Sequence, residues 1–163
     1  MAPTNEHDRP TPADRVDESA GPVALALRLS ADWVSPSLAR AAVRDWLRGH
    51  RWPPSAVQDV VLAVSEAVSN SIEHGYGVAV EDVHPHSVTV DLRAGLTEDG
   101  GFSRVHVEVH DRGAWRPPRE SPSDRGRGMI IMRACMDHVL VDPSPDGTVV
   151  TMISRPIPVP PGR

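Results

Sequence analysis

Glu66-Ala67-Val68-Ser69-Asn70 places a carboxylate and a carboxamide four residues apart inside an otherwise apolar run. On a helix that spacing sets both side chains on one face. An amide oxygen is a natural Mg²⁺ ligand, and a neighbouring carboxylate can take a proton. Two further segments lie downstream. Asp111-Arg112-Gly113 follows an alternating stretch, and Gly126-Arg127-Gly128 precedes a helix-like one. Together the three read as a site for a nucleoside triphosphate assembled from distant parts of the chain.

Each segment has a plainer reading by itself. Glu-x-x-x-Asn is also what a solvated helix face offers, Asp-x-Gly occurs in ordinary turns, and paired glycines occur in hinges. The chemistry is nonetheless specific. An Asn70 oxygen would bind Mg²⁺ without adding negative charge beside a triphosphate, and Glu66 would polarise an attacking hydroxyl or water. A buried Asp111 carboxylate would accept from the exocyclic amine of adenine, whereas guanine would bring a second acceptor. Gly113 would let the backbone approach the ring. Glycines opening a helix expose N–H groups to phosphate, with Arg125 and Arg127 adding charge. The stretch from Pro117 to Asp124 reads as a lid.

Working outward, Val57, Val61, Val64, Val68 and Ile72 form the apolar stripe of the helix that begins at Pro54-Ser55 and ends at His74-Gly75, where glycine suits a left-handed cap. An earlier helix starts at Ser35-Pro36, with Ser35 as its cap, and ends near Gly49. It carries Leu38, Ala42 and Trp46 with Ala39, Val43 and Leu47 beside them, and a basic row of Arg40, Arg44 and Arg48. That row reads as a solvated face or as a partner surface. Val23 to Leu29, Ser87 to Arg93 and Arg104 to His110 read as strands, with Val105, Val107 and Val109 inward. Leu96 to Gly101 reads as a turn and residues 129 to 138 as a helix. Val139–Val141 and Thr148–Ile153 read as a hairpin around Pro145-Asp146-Gly147. Strands adjacent in sequence after two helices predict an α+β two-layer sandwich, with a mixed, mainly antiparallel sheet and helices on one face.

The chain has 163 residues, enough for one domain with its own core. We expect a tail over residues 1–20, one domain over 21–155 and a Pro-rich tail over 156–163. A net charge of -5 argues against a general nucleic-acid binder. A single cysteine, Cys135, excludes an internal disulfide and fits a reducing compartment. No apolar run reaches the length of a membrane span, so a cytoplasmic protein is expected. His84 and His86 read as a solvated loop.

As an ordered set, the motifs resemble those of the GHKL, or Bergerat-fold, ATPases. Glu66 to His74 resembles their N box, Asp111-Arg112-Gly113 their G1 box and Gly126-Arg127-Gly128-Met129 their G2 box. Gly147-Thr148 resembles the strand element that closes the adenine pocket. Ser37-Leu38-Ala39-Arg40 and Met136-Asp137-His138-Val139 are similar to one branch, the bacterial anti-sigma factor serine kinases. The Trp115-Arg116-Pro117-Pro118 run looks like the actinobacterial variety. The resemblance covers residues 22 to 155. It implies ATP or ADP as ligand with Mg²⁺ on Asn70, Glu66 as catalytic base, Asp111, Gly113 and Thr148 around adenine, and Gly126, Gly128 and Met129 at the phosphates. It further implies a homodimer that phosphorylates a STAS-domain anti-sigma factor antagonist and holds a sigma factor. A nucleotide-binding regulator without catalysis is the alternative.

Overall fold

In the computed structural model, residues 23–75, 88–113 and 127–159 are described. The tail over residues 1–20, the loop carrying His84 and His86, and the Pro117 to Asp124 stretch lie outside them. Five strands hydrogen-bond in the order β1-β2-β3-β5-β4, with a short β6 beside β3. They are β1 (Val23–Ser30), β2 (Thr89–Asp99), β3 (Phe102–Asp111), β4 (His138–Ser144), β5 (Gly147–Ile153) and β6 (Ile157–Pro158). Three helices accompany them: α1 (Ser35–Gly49), α2 (Pro54–Asn70) and α3 (Arg127–Cys135). All described strand pairings are antiparallel, in line with the expected mainly antiparallel sheet, with no parallel pair among the described residues.

The period-2 pattern sets the layers. Val90, Leu92, Ala94, Val105, Val107, Val109, Val150 and Met152 are buried together. They form one face of the sheet, and the helices cover it with Ala39, Val43, Leu47, Val57, Val60, Val64 and Val68. Each fully buried Val, Leu or Met of this set contributes roughly 1.5–3 kcal/mol by transfer from water. The opposite face is polar. One row across it pairs Arg28 with Asp91, Asp91 with His110, and His110 with Val149. Arg28 Nε donates to Asp91 Oδ1 at 2.8 Å, and this contact holds the Asp91 carboxyl below its ordinary range.

Local details depart from expectation. Leu96 to Asp99 is not a turn but the end of β2, still paired with Ser103 to Val105 and their neighbours; only Gly100 and Gly101, both at positive φ, reverse the chain. The third helix ends at Cys135, and His138 already opens β4. Ser35 does not cap α1. Asp32 Oδ1 accepts from Val34 N at 2.8 Å and from Ser35 N at 3.2 Å, while the Ser35 hydroxyl donates to the Ser30 carbonyl. Leu38 is exposed, so the stripe that packs is Ala39, Val43 and Leu47. Ile157–Pro158 pairs with Phe102 and Ser103, carrying the sheet past residue 155.

α2 and α3 pack side by side, and a π-helical turn over Ser71–Gly75 extends α2 where a simple helix end was expected. Such turns shift side chains off the α-helical phase. Here the turn leaves Ser71 and Ile72 buried beside the ends of β3 and β5. Among the described residues no helix is long and apolar enough to cross a membrane.

Candidate nucleotide site

Glu66 and Asn70 sit one turn apart near the C-terminal end of α2, both half-buried. The N-terminal turn of α3 lies directly against them. A Cβ placed on Gly128 would stand 3.0 Å from Asn70 Nδ2, 3.1 Å from Asn70 Oδ1 and 3.1 Å from Glu66 Oε2. Only glycine keeps that approach open without moving the two polar tips. Two of the three sequence segments therefore meet. The first N–H groups of α3 and its dipole are brought beside an amide oxygen and a carboxylate.

The third segment joins from the sheet. Asp111 ends β3, pairs with Val90 on β2 and Thr148 on β5, and is only 3 % exposed. Burial pushes its carboxyl up from the ordinary aspartate range. Hydrogen bonds from the Gly113 N–H, the Ser71 hydroxyl and the Thr148 backbone, with the charge of His110, pull in the other direction. The Gly113 N–H lies 3.1 Å from Asp111 Oδ1. A buried carboxylate whose ionised form is penalised retains a drive to find another donor. An exocyclic amine is such a donor.

Gly147 stood in the Gly147-Thr148 element with no role of its own assigned, and Ser71 was given no role at the site. Gly147 has φ +136°, and a Cβ there would collide with the Asp111 carbonyl oxygen and approach Arg112 Cα at 2.8 Å. The β4–β5 turn is thus seated on the backbone that carries Asp111. Ser71 stood inside the Glu66 to His74 motif, yet nothing in the spacing reveals that a π turn directs its hydroxyl to Asp111. Thr148 is buried next to Gly147, and Gly113 is buried beside Asp111. Met129 is half-buried on α3, and Arg127 is exposed at its first position. Arg125 and Gly126 lie outside the described residues.

An antiparallel sheet with helices on one face, with α3 seated on Glu66 and Asn70 of α2 and Ser71 joined to Asp111 at the end of β3, is the architecture of a sandwich of the Bergerat type. Residues 29–154 match the sequence profile of the histidine kinase-like ATPase domain, and the chain belongs to that family. Over 103 residues it is 37% identical to the anti-sigma F factor of Pasteuria penetrans, covering 60% of this chain and 67% of that one. The structure of the RsbU and RsbW domains of Rv1364c from Mycobacterium tuberculosis is similar at a TM-score of 0.61 and 25% identity. That match covers 85% of this chain and 33% of the larger one, so the chain spans about a third of its length. The SiaB-SiaC complex from Pseudomonas aeruginosa is similar at a TM-score of 0.52 and 13% identity, over 83% of this chain and 91% of that one, a likeness of fold. Within the family, these similarities point to the anti-sigma factor serine kinase branch.

Proposed function

We propose that the domain binds ATP with Mg²⁺ and transfers its γ-phosphoryl group to a serine of a STAS-domain anti-sigma factor antagonist, and that as a homodimer it also sequesters a sigma factor. The observation that carries this reading is the seating of Gly128 against both Asn70 and Glu66. It brings a helix N-terminus, an amide oxygen and a carboxylate within reach of one another, groups suited to phosphate, Mg²⁺ and a proton.

The residues fit the group. The Asp111 carboxylate would receive the adenine amine, with Gly113 allowing the ring to lie close and Thr148 supporting the pocket. Asn70 Oδ1 would hold Mg²⁺, whose remaining positions suit phosphate oxygens and water. Bound ATP supplies the electrophilic phosphorus. Arg127, Gly128 and Met129 open the helix whose N–H groups would face the phosphates, and Arg125 and Gly126 immediately precede them in the sequence. Glu66 would accept a hydrogen bond from the serine hydroxyl and take its proton as the oxygen bonds the γ-phosphorus, while the bond from that phosphorus to the β–γ bridging oxygen breaks and ADP leaves.

Labelled ATP incubated with the domain and a STAS-domain substrate tests the proposal. Transfer to serine that is lost in Glu66→Gln, with ADP affinity retained, supports it. Nucleotide binding without transfer leaves a regulator that only binds. In that case Glu66→Gln would leave sequestration of the partner unchanged.

A further inference from the structure

The basic row on α1 is not a uniformly solvated face. Arg40, Arg44 and Arg48 line a groove of about 450 Å³ between α1 and α2, together with Trp52, Pro54, Val57, Gln58, Val61 and Leu62. The arginines repeat every fourth residue, so they form a rail about 12 Å long on one helix face. Beneath them the floor is apolar, and Leu62 is 45% exposed. Among the described residues no carboxylate forms an ion pair with Arg44 or Arg48. Trp52 is 5% exposed, and its indole Nε1 is buried with no hydrogen-bond partner there. Three cations thus lie along an apolar floor on a chain whose net charge is -5.

We propose that this groove is a docking site for an acidic amphipathic helix of a protein partner. A groove between two helices accepts a third through apolar residues at i, i+3, i+4 and i+7. Carboxylates at i, i+4 and i+8 on such a helix match the spacing of the three guanidinium groups, which bind carboxylate in a fork. A nucleic-acid backbone would use the arginines but leave the apolar floor idle. The surface is separate from the nucleotide cleft but shares α2 with it. Arg40 Nη1 donates to Ser65 Oγ at 3.1 Å, one residue before Glu66. The proposal rests on the reading that the domain holds a protein partner, and does not require phosphoryl transfer.

A fluorescent synthetic helical peptide with glutamates at i, i+4 and i+8 and leucines on the adjoining face supplies the test, by anisotropy against the full chain. Saturable binding in the micromolar range is expected. Arg44→Glu with Arg48→Glu weakens it at least about 10-fold. A peptide with lysine for each glutamate then prefers the reversed variant over the wild type. Leu62→Glu, at a position already exposed, also weakens the glutamate peptide. The proposal is overturned if charge reversal leaves binding unchanged, if the glutamate peptide does not bind, or if heparin fragments compete equally well before and after Leu62→Glu. ADP titration of the same variants checks the fold. A wild type that fails to bind ADP would strike the nucleotide reading and leave the peptide result standing.

Discussion

Gly147 rests on the main chain of Asp111 so closely that no side chain fits between them. The contact involves the Asp111 carbonyl and Arg112 Cα, and Gly147 adopts φ +136° to make it. Both the space and the backbone conformation exclude other residues. Gly147→Ala is therefore expected to destabilise the fold by at least about 1–3 kcal/mol and to displace the strand end that carries Asp111. Urea unfolding with an unchanged midpoint would show that the β4–β5 turn can move aside.

Asp111→Asn separates stability from binding. The Asp111 carboxyl titrates above its unfolded value because burial penalises the charge. Its contribution to stability is accordingly present below the unfolded pKa and lost as pH rises through the folded pKa. Above the folded pKa the unliganded wild type carries this cost and the amide variant does not. Asp111→Asn should hold its stability at pH 7, and the wild type should lose ground to it as pH rises out of the acid range. ADP affinity should fall by about 1–3 kcal/mol, the cost of an imperfectly paired buried group. Calorimetric titration and thermal unfolding across pH check the two halves separately.

Ser71→Ala removes one donor from the same carboxylate. Asp111 should then titrate still higher, and the protein should lose about 1–3 kcal/mol on the alkaline side of that titration, where the carboxylate is ionised. The loss should shrink as pH falls and Asp111 takes a proton. A pH-independent loss would mean that Ser71 contributes packing alone.

Gly128→Ala tests how closely α3 must approach α2. The added methyl would press on the tips of Asn70 and Glu66 rather than on backbone. The fold should survive, while phosphoryl transfer falls by about 10- to 100-fold through misplacement of the two groups. Single-turnover assays alongside a melting curve distinguish this from general destabilisation.

Much of this was legible in the sequence, for identifiable reasons. The valines of β3 alternate without interruption, and Val57 to Ile72 keep a helical stripe, so strand and helix follow from period alone. Residues 96–99 misled because Thr97, Glu98 and Asp99 look like turn chemistry, yet they are the exposed or half-exposed end of a long hairpin strand whose register continues. Ser35 beside Pro36 has the composition of a cap, but its hydroxyl is turned to the Ser30 carbonyl, and Asp32 takes the Val34 and Ser35 N–H groups instead. The features that complete the site depend on tertiary contact. A π turn aims Ser71, and the fit of Gly147 depends on which backbone lies opposite it. Neither is encoded in a local pattern.

Discrimination between ATP and GTP tests the central claim most directly, because it depends on the Asp111 carboxylate meeting the base. Calorimetric titration of the wild type with each nucleotide in the presence of Mg²⁺ should show ATP binding at least about 100-fold more tightly than GTP, since guanine would set an acceptor against a buried acceptor. Equal affinities, or no binding of ATP, would contradict the account.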